Sequence, residues 1–117
     1  MFIAYIISGI LMAALATFSA VAKLRRNPRV MKSLHEEIGI PMTWIRVLAA
    51  CEIAGAVGLL IGIAWSPLGL AAAIGLVIYF AGAIVAHARI KDFKGMSNPA
   101  VPLVLALIVL VTRILSF

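Results

Sequence analysis

Glu52 is the residue whose surroundings most strongly suggest chemistry, because it is a carboxylate inside an apolar, glycine-rich stretch at 49–62. The segment 41–64 is long enough to cross a bilayer as a helix, which needs about 20 residues. Glu52 lies 11 residues after Pro41, which is roughly 16 Å along such a helix and near mid-membrane. A charge at that depth is costly unless it is paired, protonated or hydrated. Glu52 is therefore predicted to belong to a polar network or a ligand site.

Lys23 is the favoured partner of Glu52. Arg46 lies six residues before Glu52, so the two point about 120° apart around one helix and are poor partners. Two interpretations stay open for Glu52: an ion pair that fixes helix register, or a carboxylate that handles protons or contacts a ligand in a cavity. The polar-network or ligand candidates on this half of the molecule are Glu52, Lys23, His87, Arg46, Ser19 and Tyr79.

Each neighbour of Glu52 also has a simpler interpretation. Lys23 alone would extend to the membrane surface, although Ser19 one turn earlier favours an inward direction. His87 is typical of an interface residue, or alternatively of a ligand for a quinone carbonyl. Tyr79 is typical of a packing aromatic. One histidine and one glutamate without a third ligand are a weak metal signal, so no metal site is expected. No residue is assigned a catalytic role.

The composition is that of a membrane protein. Of 117 residues, 65% are hydrophobic and 12% charged, and the mean hydropathy is +1.20, whereas soluble domains have about 25% charged residues. This length accommodates about four spans of about 20 residues. We expect one domain over residues 1–117, with spans at about 2–22, 42–64, 68–87 and 99–116.

The basic residues predict the topology. Five of the ten Lys and Arg residues fall in 23–40 and three in 88–98, with none in the turn at 65–67 and one, Arg113, at the C-terminal end. Cytoplasmic loops carry such an excess, so both termini are predicted to be extracytoplasmic. The fold class is thus an all-α, four-transmembrane-helix up-and-down bundle. A short cytoplasmic amphipathic helix is predicted between the first two spans, starting at Asn27-Pro28 and ending before Gly39.

Small residues predict close helix packing. The helix-packing candidates are Gly55, Gly58, Gly62, Gly75 and Gly82. Cys51, the one cysteine, is expected to be a buried packing residue. The net charge of +6 is assigned to the loops and not to nucleic-acid binding.

Taken together, several motifs resemble the DoxX-like family of small four-helix bacterial membrane proteins. These are Ser19-Ala-Val-Ala-Lys23-Leu24, Arg46 followed by Glu52-Ile-Ala-Gly55-Ala-Val-Gly58, Pro67-Leu-Gly-Leu-Ala-Ala-Ala, and Gly82-Ala-Ile-Val-Ala-His87-Ala-Arg89. The resemblance implies an architecture, a location in a bacterial inner membrane, recurrent polar positions at Lys23, Glu52 and His87, and association with membrane redox or oxidative-stress complexes. It implies no agreed catalytic role for these residues.

Three functions follow as hypotheses. The first is a non-catalytic subunit, anchor or assembly partner of a larger, redox-linked membrane complex, with the isolated chain leaning away from being an enzyme. The second is a quinone-binding component with a pocket at Glu52, Lys23 and His87, and the third is a small proton-linked transporter. No intrinsic cofactor is expected, although a quinone is possible. The expected partners are the lipid bilayer and either other membrane subunits or further copies of the chain.

Overall fold

The computed structural model describes residues 1–32, 38–91 and 97–116, and every regular element in these ranges is helical. The elements are α1 (Phe2–Leu24), α2 (Pro28–Met31), α3 (Met42–Ile61), α4 (Ser66–Arg89) and α5 (Ser97–Leu115). Helices α1, α3 and α4, of 23, 20 and 24 residues, are long and apolar enough to cross a membrane. The apolar part of α5, Pro99–Leu115, is shorter. The molecule is therefore an all-helical membrane protein.

Prolines and a left-handed residue define the helix ends. Arg26 has a φ of 52° after the end of α1, and the N–H of Asn27 then donates to the carbonyl of Ala22 at 3.0 Å. Pro28 starts α2, where its missing N–H costs nothing. Pro41, with an extended backbone, precedes α3. These signals are local, which is why the sequence places the helix boundaries within a few residues.

The four long helices pack in a ring. Helix α1 contacts α3 and α5, and α4 contacts the same two helices. Arg113 near the end of α5 lies over the ring of Phe2 at the start of α1, and the short 62–65 turn joins α3 to α4 at the same level. Neighbouring helices are therefore antiparallel. We call this level the Arg113 end, and the opposite level, where α1 terminates, the Lys23 end.

Alanines and a few large side chains fill the middle of the ring, and large apolar side chains also cover its outside. Phe18, Trp44 and Ile78 are among the exposed large apolar residues, as expected for a lipid-facing surface. The buried core is formed by Tyr5, Met12, Ala13, Ala16, Ala56, Leu59, Ala73, Leu76, Phe80, Ala106 and Val109.

Glycines permit the close approach of α3 and α4. A Cβ on Gly62 would overlap the backbone of Gly69, and one on Gly58 would lie 2.8 Å from the Cβ of Ala72. Gly55 likewise lies against Leu76. The other two predicted packing glycines, Gly75 and Gly82, are exposed on α4, where an added Cβ would meet nothing within 4 Å.

The structure differs from the sequence prediction at Cys51 and covers only part of the predicted amphipathic helix. Cys51 is exposed on α3, so its interpretation as a buried packing residue is wrong. It directly precedes the buried Glu52, and consecutive helical residues point about 100° apart. The predicted amphipathic helix coincides with α2 at its start, and its remainder falls on residues 33–37, which lie outside the described residues.

Candidate functional site

A hydrogen-bonded network of four side chains joins three helices inside the molecule. The ammonium group of Lys23 on α1 donates to Oε1 of Glu52 on α3 at 2.5 Å and to the hydroxyl of Ser19 at 2.8 Å. The hydroxyl of Tyr79 on α4 donates to the same Oε1 at 3.0 Å. We call these four residues the Glu52 network.

Helix geometry explains why these residues meet. Ser19 and Lys23 are four residues apart, one above the other on a single face of α1. Glu52 lies midway along α3, whose helix contacts both α1 and α4, so it can receive donors from both sides. Helix α1 thus contributes two polar side chains to the network, and α3 and α4 contribute one each.

The network is buried and electrically balanced. Glu52 has no exposed surface, and Lys23 retains 9% of its own. Pairing one carboxylate with one ammonium group brings no net charge into the apolar interior, which lowers the cost of burying either. The ammonium nitrogen also lies 6.0 Å from the centre of the Tyr79 ring, a favourable cation–π position.

The two oxygens of Glu52 are in different situations. Oε1 accepts from both Lys23 and Tyr79. Oε2 is equally buried, and no donor in the described ranges reaches it. A buried acceptor without a donor costs about 1–3 kcal/mol of folding free energy. Oε2 thus remains able to accept a hydrogen bond.

Arg46 and His87 lie apart from the Glu52 network. Arg46 is exposed on α3, which agrees with the 120° separation from Glu52. His87 is buried, with 4% exposed, but it lies eight residues beyond Tyr79, about 12 Å further along α4. Within the part of the chain that the structure describes, no three His, Cys, Asp or Glu side chains come together as metal ligands.

A second polar contact, at the Arg113 end, has no counterpart in the sequence interpretation, which treated Arg113 only as a terminal charge. The guanidinium of Arg113 is 3% exposed and donates to the carbonyl oxygen of Gly62 at 3.2 Å. It lies 4.5 Å from the ring centre of Tyr5, whose hydroxyl donates to the carbonyl of Leu59 at 2.9 Å. We call these residues the Arg113 clamp.

The clamp ties α1 and α5 to the end of α3. The carbonyls of Leu59 and Gly62 belong to the last turn of α3, where no intrahelical donor is available to them, and Tyr5 and Arg113 supply donors. An up-and-down topology puts the start of α1 beside the end of α5. That was the one signal in the sequence that could have paired Tyr5 with Arg113.

An open apolar groove runs along the outer face of α5. It has almost no polar lining, and it faces outward from the ring and not toward Glu52. The groove is lined by Ala100, Val101, Val104, Leu105, Leu107, Ile108, Val111 and Thr112.

These features define a small multi-pass α-helical membrane protein with an internal acid–base pair. The chain belongs to the DoxX-like family, whose model matches residues 7–109. This confirms the resemblance drawn from the motifs. The match includes every residue of the Glu52 network, whereas Tyr5 and Arg113 lie just outside it. No match was found among curated proteins or among solved structures.

Proposed function

We propose that this protein is a non-catalytic integral membrane subunit, an anchor or assembly partner of a larger, redox-linked membrane complex. The observation that carries the proposal is the Glu52 network: the carboxylate is wholly buried, and its bonds go to Lys23 and Tyr79 of the same chain. A buried pair of this kind specifies which helices meet and in what register. The ionisable groups thereby serve the fold of a small scaffold.

The outer surface supports the same proposal. Gly75 and Gly82 weaken α4 by about 0.5–1 kcal/mol each relative to alanine, yet neither allows a closer contact with another described residue. Small residues on a lipid-facing helix allow another helix to approach closely. The apolar groove on α5, lined mainly by valine, leucine and isoleucine, is a second outward surface that suits packing against an apolar helix. Association with other membrane helices would explain both the exposed glycines on α4 and the apolar groove on α5.

The proposed topology has α5 as a fourth span. Its 19 residues correspond to about 28 Å of helix, against about 30 Å for the hydrocarbon core of a bilayer. The excess of Lys and Arg around 23–32 and 89–94 favours the Lys23 end as the cytoplasmic one. Both termini then lie at the Arg113 end, outside the cytoplasm.

A quinone-binding component is the second candidate, and the half-buried Tyr79 favours it. Its hydroxyl lies on Glu52, so a head group that displaced the phenol would reach a carboxylate and an ammonium group. Such groups are suited to proton exchange with a quinone. Quinone binding requires Tyr79 to move, whereas a role as a non-catalytic subunit requires no change in the Glu52 network. A proton-linked transporter would further require Glu52 to open toward both membrane surfaces.

Photo-crosslinking in native membranes tests the proposal. A photoreactive residue is placed singly at Ile78 on α4, at Val104 in the α5 groove and at Phe18 on α1, three outward positions on different faces. We expect one protein to be crosslinked from one face, in stoichiometric amount, with the other positions as matched controls. Lipid adducts alone from all three positions would contradict the proposal. Stoichiometric quinone in the purified protein, lost in Glu52→Gln, would favour the second candidate.

A further inference from the structure

Exposed cationic side chains gather at the Lys23 end of the molecule. At the opposite end the only Lys or Arg side chain, Arg113, is buried. Glu52 is the only acidic residue in the described ranges, and it is already paired with Lys23. The exposed side-chain charge of the described residues is therefore positive and lies at one level. The residues that carry it are Arg25, Arg26, Lys32, Arg46, Arg89 and Lys91.

Arg46 carries its charge on a lipid-facing surface. It lies about 7 Å along the helix from Pro41, and its exposed neighbours Val47 and Ala50 are apolar. Among the residues that the structure describes, none forms an ion pair or a hydrogen bond with its guanidinium. An unpaired charge beside hydrocarbon is costly, and a long arginine side chain reaches the headgroup layer from this depth. The phosphate of a lipid headgroup is an anion available there, and its geometry suits a guanidinium.

Arg26 and Lys91 have backbone conformations that favour glycine. Their φ angles are 52° and 56°, and each lies two residues beyond the last residue of a long helix. Helices often end with glycine at this position because it has no Cβ. The neighbouring Arg25 and Arg89 already mark this side as basic, so topology alone does not require two further cations. The strain at both positions indicates that their charge has a use of its own.

We propose that the Lys23 end binds the phosphate of an anionic phospholipid, with Arg46 as its direct ligand and Arg26 and Lys91 as flanking cations. Helix α3, which carries Arg46, contacts both α1 and α4, whose ends carry the other two. Clusters of four to eight cations beside a membrane are typical of anionic-lipid binding. A zwitterionic headgroup carries a cation of its own, which this cluster repels. The inference is independent of the proposed function.

Native mass spectrometry of the purified protein tests the proposal. The delipidated chain in non-ionic detergent is mixed with equal amounts of phosphatidylglycerol and phosphatidylcholine with the same acyl chains, and the retained lipids are counted. We expect phosphatidylglycerol to be retained in preference, and Arg46→Gln to weaken its retention by about fivefold. Equal retention of the two lipids by the parent, or unchanged retention in Arg46→Gln, would overturn the proposal.

Lys32→Gln is the matched control for net charge. It removes the same charge from the same end, but from an exposed position just after α2 and outside the spans. We expect it to retain phosphatidylglycerol as the parent does. An equal loss in Lys32→Gln and Arg46→Gln would show that only net charge attracts the lipid. Displacement of the lipid by millimolar inorganic phosphate would assign the site to a soluble anion, and either result would overturn the proposal.

The double variant Arg26→Gly/Lys91→Gly separates the flanking charges from the fold. Glycine suits the left-handed backbone at both positions, so the thermal midpoint in lipid-free detergent should be no lower than that of the parent. Retention of phosphatidylglycerol should nevertheless fall, by about fivefold per residue. Full retention would overturn the role of the two cations. A loss of retention together with a lower thermal midpoint would mean that these residues serve the fold instead.

Discussion

The Nζ of Lys23 lies 2.5 Å from Oε1 of Glu52, and this contact joins the last turn of α1 to the middle of α3. The two residues are 29 positions apart in the chain and both are buried. The buried residues nearest to them along α1 and α3 are Ala16, Ala20, Ala49 and Ala56, which pack with little preference for one register. The pair therefore favours one register of α1 against α3, which apolar packing alone would specify only weakly.

Glu52→Gln should destabilise the protein less than Glu52→Leu. Glutamine keeps an amide oxygen that can accept from Lys23 and Tyr79, whereas leucine leaves both donors buried without an acceptor, at about 1–3 kcal/mol each. The measurement is the thermal midpoint of each variant in detergent, followed by size-exclusion chromatography. Equal midpoints for glutamine and leucine would show that the hydrogen bonds of Glu52 contribute nothing.

Arg113→Gln should destabilise far more than Arg46→Gln. Arg113 is 3% exposed, lies against the Tyr5 ring and bonds to the carbonyl of Gly62, while Arg46 is exposed on the outer face of α3. Loss of a buried charged hydrogen bond costs about 1.5–3 kcal/mol, and an exposed substitution is usually within about 0.5 kcal/mol of neutral. The same thermal assay compares them. A similar loss for both variants would mean that the Arg113 clamp is not a stabilising contact.

Tyr5→Phe isolates one bond of that clamp. The ring and its packing against Arg113 stay, while the hydrogen bond that the hydroxyl donates to the carbonyl of Leu59 is lost. We expect a loss of about 1 kcal/mol, read as a lower denaturant midpoint in a reconstituted sample. Tyr5→Leu, which also removes the ring, should lose more; if the two variants unfold alike, the ring contributes no cation–π stabilisation.

Gly62→Ala and Gly75→Ala should have opposite effects. A methyl group at Gly62 overlaps the backbone of Gly69 and must separate α3 from α4, whereas at Gly75 it meets none of the residues that the structure describes. Gly75→Ala should therefore stabilise α4 by about 0.5–1 kcal/mol through helix propensity. Unfolding midpoints of the purified chain check this. If Gly75→Ala stabilises the isolated chain and yet weakens crosslinking to a partner, Gly75 lies in an intermolecular contact.

Sequence reasoning reached the helices because their signals are local. The length of an apolar segment and the residues that bound it, such as Pro41 or Asn27-Pro28, can be read directly from the sequence. The predicted bounds of α1, α3 and α4 therefore agree with the structure to within a few residues. The pairing of Glu52 with Lys23 in preference to Arg46 also followed from helix geometry alone, and the structure has that contact.

The missed features depend on how helices are rotated against one another. Whether Cys51 or Glu52 faces inward is decided by the neighbours of α3, and both directions fit an apolar segment. Arg113 looked like a terminal charge because its partners, the Tyr5 ring and the Gly62 carbonyl, lie on other helices. Every residue has a backbone carbonyl, so the amino-acid sequence does not show which carbonyl accepts a hydrogen bond. The Arg113 clamp could therefore be identified only from the structure.

The central claim is that Lys23 and Glu52 stabilise the protein by pairing with each other. A double-mutant cycle between the two residues tests it most directly. The variants are Lys23→Met, Glu52→Leu and the two combined, with stability measured by denaturant titration in reconstituted samples. Removing one partner of a buried pair should cost about 3–5 kcal/mol, while removing both should cost much less than the sum, because no charge is then left unpaired. Strictly additive losses would contradict the account and would mean that each residue serves something other than its partner.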